Sequence, residues 1–288
     1  MGDLDAAIKD WVKKHPYLKE IARLQETIEA VIENNDAHAR EVIAPYVPGE
    51  HVLDEFKRGI PILKAEESRE DIIKDAESLI IKMIDALVTA SLPDQIITQS
   101  LQAKTVFTEK ADLAGRLVAE VIRDNTVKDS KKDLGEVSEG FLLFLAWSAL
   151  SYALEPLKEK VSALSEEHPW RKGYCPVCGQ LPAMGQLVRT EKGRERDLVC
   201  GCCQMRWRFR RLGCPYCENN DMKSLEIIGL DEEPDLRIDT CKKCKGYLKT
   251  YTGEGQEQVA LADWSTLHLD MIAKKHGFKR IGYRMYGV

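Results

Sequence analysis

The sequence predicts an α+β fold: an N-terminal helical bundle, then two tandem metal-binding ribbon modules, then a C-terminal helix. Three observations carry this expectation. The first 165 residues hold no cysteine and repeat apolar side chains at helical spacing. Four CxxC pairs then crowd into residues 175–244, separated by hairpin-length intervals. A last amphipathic segment, Ala262–Gly277, follows them. The expected divisions are 1–165 for the bundle, 173–212 and 213–255 for the two ribbons, and 262–288 for a helix and tail packed back on the body.

In the bundle, Tyr17–Glu33 places Leu18, Ile21, Leu24, Ile28 and Val31/Ile32 on one stripe. Pro45, Pro48, Gly49 and Pro61 punctuate Ala44–Leu63, and proline removes amide donors, so an irregular connector is expected there. The strongest helix is about Arg69–Ala90, where Ile72, Ile73, Ala76, Leu79, Ile80, Met83, Ile84 and Leu87 keep the 3.6-residue period. Ser68 with Asp71 resembles a capping box at its start. Further helices are expected at Pro93–Ala103 and Lys110–Arg123, then a charged turn Asp124–Asp133, then Val137–Ser165. The last is apolar on nearly every side over Phe141–Leu154, which places it inside the bundle. A membrane span needs about 20 such residues, so this run reads as a core helix. Met1–Lys14 is charged and has no apolar signal-type region, so the expected compartment is the cytoplasm.

Two residues between cysteines let one tight turn present both sulfurs to a single ion, and two such turns close a tetrahedral four-thiolate shell. Twenty-one residues separate Cys178 from Cys200, and 23 separate Cys217 from Cys241, the length of a ribbon's hairpin arm. Only ten separate Cys203 from Cys214, a connector's length. Cys175, Cys178, Cys200 and Cys203 are therefore grouped as a first zinc-ribbon-type site, and Cys214, Cys217, Cys241 and Cys244 as a second. Interleaved pairing would need crossed connections. Proline follows the first cysteine in CPVCG and CPYCE, and Gly179 can take the positive φ such a turn needs. Gln186–Thr190, Arg206–Arg211, Leu225–Gly229 and Gly246–Tyr251 alternate as strands do. The ninth cysteine, Cys202, is spare: a replacement for Cys203, a reactive thiol, or a small side chain without special role. Four thiolates suit zinc and a rubredoxin-type iron alike.

The 288 residues carry a net charge of −5, unevenly spread. Residues 171–211 hold ten basic and three acidic side chains, a local +7 against −12 for the remainder. Either a charged partner meets the first ribbon, or these are solvated residues balancing an acidic body. Closed thiolate shells leave no open position for water, and no nucleotide-binding glycine loop or nucleophile–base set is present, so the chain reads as a non-enzyme. A nucleic-acid-binding ribbon, using the basic segment with Tyr174, Trp207 and Phe209, is the alternative from another class; a sequence pI near 5.8 weighs against it.

The order of motifs resembles the formate dehydrogenase accessory protein family, the FdhE type. The resemblance runs through CPVCG and Pro182, Leu198, Cys200 and Cys203, Trp207 and Arg211, Cys214–Cys217, Cys241–Cys244, Tyr247–Leu248–Lys249 and the acidic segment Ala262–Gly277, and more loosely through GIPIL at Gly59–Leu63. Cys202 and the tail Gly282–Val288 depart from the family's pattern. The resemblance implies a helical domain followed by two rubredoxin-like modules able to hold iron. It further implies a cytoplasmic, non-catalytic assembly factor that binds the catalytic subunit of a formate dehydrogenase during maturation. Trp207, Arg211 and Tyr247 are its candidate partner-contacting residues. Electron transfer through a rubredoxin-like iron is a third reading.

Overall fold

The chain folds as a helical N-terminal part, a six-stranded sheet and a short C-terminal helical segment, in a computed structural model that describes residues 2–39, 50–65, 69–191 and 193–282. The α+β class expected from the sequence is the one observed. Contacts divide the chain into two units. One comprises Val12–Glu50 and Glu66–Leu157; the other comprises Met1–Trp11, His51–Ala65 and Lys158–Val288.

In the helical unit, α5 (Glu70–Thr89) is the centre, packed against α2 (Lys19–Ala39), α6 (Asp94–Glu109), α7 (Leu113–Asp124) and α9 (Glu139–Ala153). Ala76, Leu79, Ile80, Met83, Ile84 and Leu87 fall on its buried stripe, as the period requires, while Ile72 and Ile73 are half-buried. Burying each larger side chain contributes roughly 1.5–3 kcal/mol relative to exposure. Ser68, expected to cap α5, lies outside the described residues. In α9, ten residues from Phe141 to Ala153 are buried, and the Ser138 hydroxyl caps its start by accepting the Phe141 amide at 3.2 Å. The helix expected to run to Ser165 breaks at Leu154. Pro156, which lacks the amide an interior position would need, sits in the first turn of α10 (Glu155–Glu167), where no such bond is required.

The expected charged turn Asp124–Asp133 is instead largely helical, α8 (Lys128–Leu134). Its reason is a tertiary cap. The buried Glu120 carboxylate of α7 accepts the amides of Asp129 and Ser130 at 2.9 and 3.0 Å and the Ser130 hydroxyl at 2.9 Å. The expected connector Ala44–Leu63 likewise contains a helix, α3 (Glu50–Lys57), in its proline-free part, with Val52 and Phe56 buried. Its portion with Pro45, Pro48 and Gly49 lies outside the described residues.

In the second unit the sheet is two three-stranded meanders joined side by side. β1 (Pro182–Thr190), β2 (Gly193–Cys200) and β3 (Arg206–Phe209) form the first; β4 (Leu225–Gly229), β5 (Leu236–Cys241) and β6 (Tyr247–Tyr251) form the second. The order is β3-β2-β1-β6-β5-β4, every neighbour antiparallel except the parallel β1–β6 pair, Met184↔Lys249 to Gln186↔Tyr251. The two ribbons therefore share one sheet. At the seam Gly185 leaves room for Leu248, whose Cδ2 would lie 2.9 Å from an added Cβ. Tyr216 also crosses from the second ribbon, its hydroxyl donating to the Pro182 carbonyl at 3.0 Å.

The C-terminal helix expected within 262–288 forms as a 3-10 turn, Asp263–Thr266, and an α-helix over Leu267–Lys275 that contacts β5 and β6 and buries Leu269 and Ala273. A buried charge network fastens it. The Lys249 ammonium of β6, 1% exposed, donates to Asp263 Oδ1 at 2.6 Å and Asp270 Oδ2 at 3.1 Å. Arg280 forks onto both Asp270 oxygens and reaches Asp263 Oδ1 at 2.8 Å. Burial alone would raise the Asp263 carboxyl, but Lys249 and Arg280 outweigh it and hold the group below the ordinary carboxylate range. A depressed folded value stabilises the fold above the unfolded pKa of about 3.9 and loses that contribution as pH falls through the folded value. Asp263→Asn leaves Lys249 and Arg280 undercompensated and is expected to destabilise this unit by about 3–5 kcal/mol at neutral pH. Urea unfolding monitored by Trp fluorescence checks this, and the gap between wild type and variant should close as the pH is lowered below 4.

Candidate metal centre

One local structure is repeated four times. In each CxxC turn the first cysteine's amide donates to the carbonyl five residues on: Cys175 to Gln180 at 2.9 Å, Cys200 to Met205 at 2.9 Å, Cys214 to Asn219 at 2.8 Å and Cys241 to Gly246 at 2.9 Å. In each, the residue directly after the second cysteine is left-handed: Gly179 (φ 79°), Gln204 (φ 61°), Glu218 (φ 57°) and Lys245 (φ 59°). Only the first of these positions is glycine. The other three hold an L-residue in a conformation that costs roughly 1–2 kcal/mol, so the turns are held by what they enclose. The second and fourth turns double as the β2–β3 and β5–β6 connections.

The turns meet in pairs, as the spacing implied. Sγ of Cys175 lies 3.5 Å from Cys203 and Cys178 3.5 Å from Cys200; Cys214 lies 3.7 Å from Cys244 and Cys217 3.8 Å from Cys241. All four sulfurs of each group fall within 4.8 Å of one another. A regular tetrahedron with a Zn–S bond of about 2.3 Å has an edge of about 3.8 Å. A disulfide would need about 2.05 Å. These are two four-sulfur clusters that could each hold a metal ion, and the donor set fits zinc and iron equally.

Donors aimed at the sulfurs complete the environment. The Cys202 amide points at Cys200 Sγ at 3.4 Å, the Gly246 amide at Cys244 Sγ at 3.4 Å, and the Asn219 side-chain amide at Cys241 Sγ at 3.7 Å. Burial pushes the thiols of Cys175 and Cys178 well up. Burial acts on Cys200 too, but four neighbouring sulfurs outweigh it and take that thiol well below its usual range. Burial raises Cys241 as well; against it the amides of Cys244 and Lys243 and the sulfurs of Cys217 and Cys244 bring that thiol down to about 7. Burial raises Cys214 and Cys244 in the second cluster too, so each cluster sets one lowered thiol beside two raised ones, and a cation would favour their deprotonation. Cys202 is fully buried beside the first cluster, its thiol raised by burial, and Cys203 rather than Cys202 joins the four.

The clusters differ in access. The first is entirely buried and is walled by a segment distant in sequence: the Ile62 and Leu63 amides donate to the Pro176 and Val177 carbonyls at 2.9 Å each. Tyr174 donates its hydroxyl to the Gly59 carbonyl at 2.8 Å, and an added Cβ at Gly179 would meet Pro61 at 3.0 Å. GIPIL is therefore part of the first turn's housing, which spacing alone did not reveal. In the second cluster Cys217 and Cys244 are half-exposed.

Of the candidate partner residues, Trp207 is buried and donates its indole N–H to the Lys172 carbonyl at 3.0 Å. Tyr247 is buried and donates to Asp270 at 2.5 Å. Arg211 is exposed. The basic segment is partly internal. Arg196, 3% exposed, donates to the Arg210 and Gly213 carbonyls and clamps the connector between the ribbons; Arg208 pairs with Glu195 and Asp197. Phe209 and Trp207 are inside the sheet layer, so the stacking surface of a nucleic-acid reading is not displayed by them.

Two predictions follow from this geometry. Cys175→Ser should unfold the first ribbon while the helical unit stays helical, seen as local loss of amide protection with most far-UV helix signal kept. Chelator challenge of the metal-loaded protein should release metal in two phases, the half-exposed second cluster first; Cys217→Ser with Cys244→Ser should abolish the fast phase alone.

Residues 212–286 match the family model described as "FdhE, C-terminal domain". The FdhE homolog of Aquifex aeolicus is 32% identical over 154 residues, 52% of this chain, and the match spans about half of that relative's length (54%). The homolog of Stutzerimonas stutzeri is 27% identical over 285 residues, covering 96% of this chain and 85% of the relative. The crystal structure of the FdhE protein from Pseudomonas aeruginosa shares the fold, with a TM-score of 0.66 at 21% identity over 98% of this chain and 94% of that one. The chain is thus similar to FdhE proteins in sequence along most of its length and shares the fold of one of them.

Proposed function

We propose that this protein is a non-catalytic accessory factor that binds the catalytic subunit of a formate dehydrogenase during its maturation, in the reducing cytoplasm. Similarity to FdhE proteins is the observation that carries the reading. The site chemistry supports it. Eight thiols are enclosed as two four-sulfur sets, which leaves no protein-framed open position for water to be activated on a metal. Cys175, Cys178, Cys200 and Cys203 hold one ion, and Cys214, Cys217, Cys241 and Cys244 the other; zinc or iron would supply cross-linking of the turns, and iron also a one-electron couple. The ribbons 173–212 and 213–255 are the metal-dependent part, and Arg211 is the candidate partner residue that reaches solvent.

Co-purification of tagged protein with a formate dehydrogenase catalytic subunit tests this directly, alongside dehydrogenase activity in a deletion strain. Binding and a loss of activity at normal transcript level are expected; a deletion strain with unchanged activity would refute the proposal. Metal analysis of anaerobically purified protein identifies the ion in each site.

A further inference from the structure

β4 is an edge strand: among the described residues it pairs only with β5. Its register is Leu225↔Cys241, Glu226↔Thr240, Ile227↔Asp239, and the preceding pair is bonded, the Lys242 amide donating to the Ser224 carbonyl at 2.8 Å. Bonded and unbonded pairs alternate in an antiparallel ladder. Glu226 and Ile228 therefore face β5 with their backbone groups. The amides and carbonyls of Leu225, Ile227 and Gly229 point outward, a ready template for another strand.

On one face of the β4–β5–β6 meander, reaching this edge, lies an open groove that is also lined by the connector at Arg211–Gly213. Three of the large apolar side chains most exposed in the described structure line it together: Leu212 at 55%, Met222 at 54% and Ile227 at 59%. The charges around it are mostly compensated. Arg237 pairs with Asp239 at 2.9 Å, Glu226 pairs with Lys242, and Arg196 is spent on backbone carbonyls. Arg211 makes no ion pair among the described residues, which leaves the rim positive.

We propose that an extended polypeptide segment of the partner adds to the β4 edge as a seventh strand. Main-chain bonds to Leu225, Ile227 and Gly229 supply the pairing. Apolar side chains at alternate positions of the segment cover Ile227, Met222 and Leu212, and an acidic side chain meets Arg211. A second copy of this chain fits less well, because its own β4 would bring a second Arg211 to the same positive rim. The identity of the partner as the dehydrogenase subunit rests on the function proposed above; the mode of docking rests on this edge.

The test uses the full chain with purified catalytic subunit. Hydrogen exchange of the wild-type complex should show new protection at β4. Ile227→Asp and Arg211→Glu should each weaken binding by about tenfold or more, with metal content and thermal unfolding as in wild type. Ile227→Pro, which removes one outward amide and leaves the β4–β5 ladder intact, should weaken it similarly. If the wild type does not bind the subunit, the proposed function fails and this inference with it. If it binds while β4 exchanges as in the free protein, or while the variants bind equally well, the docking mode alone is overturned. Sedimentation of the protein by itself as a dimer that Ile227→Asp dissociates would also overturn it, by assigning the edge to a second copy.

Discussion

The cysteine half depends on one backbone bond made four times. When the first amide of each CxxC turn reaches the carbonyl five residues on, and the residue after the second cysteine turns left-handed, both sulfurs are aimed at one point. In the same step the outgoing chain is aimed along a strand. β1 starts just beyond the first turn, β3 just beyond the second and β6 just beyond the fourth. The sheet register and the sulfur geometry are thus one constraint. Four thiols at 3.5–3.8 Å spacings are poorly stable without a cation, since desolvation disfavours the thiolates and neighbouring thiolates repel. Metal binding to such shells supplies about 10–16 kcal/mol in small zinc domains, and here that energy would be expressed as folding of the ribbons.

The join between the ribbons adds a second requirement. Each meander alone has two edges, and the parallel β1–β6 pair removes one from each. Gly185 permits the approach, Tyr216 bridges it, and Arg196 fixes the short connector from beneath by donating to Arg210 and Gly213 carbonyls. The edges left are β3 and β4. β3 carries Arg206 and Arg208 on its exposed face, charges that deter further pairing. β4 instead displays Ile227. The asymmetry between the two outer strands is what separates a finished edge from one able to accept a partner.

Much of this was legible in the sequence, and the exceptions share a cause. Periodicity located α5 and its buried stripe, and cysteine spacing paired the two clusters, because both signals are local and strictly repeated. The missed features are tertiary. Nothing near Lys128 announces a helix, since its cap is the Glu120 carboxylate from the previous helix. Nothing in GIPIL announces a wall for the first cluster, since its partners lie more than a hundred residues on. Trp207 and Tyr247 stood out as motif residues, yet their polar atoms are directed inward to Lys172 and Asp270. A residue set apart by a motif can serve the fold as readily as the surface.

The difference in exposure between the clusters then acquires meaning. All four cysteines of the first are buried, and the Ile62, Leu63 and Tyr174 hydrogen bonds hold a distant segment beside it. The second shares Cys214 and Cys241 with the lining of the groove beside β4, and its Cys217 and Cys244 are half-exposed. A strand added at β4 would pair beside Leu225, which stands opposite the ligand-position Cys241. Leu225 is thus the point where the open edge comes nearest to the second cluster in the register, whereas the first cluster lies away from the edge, behind the Ile62–Leu63 segment.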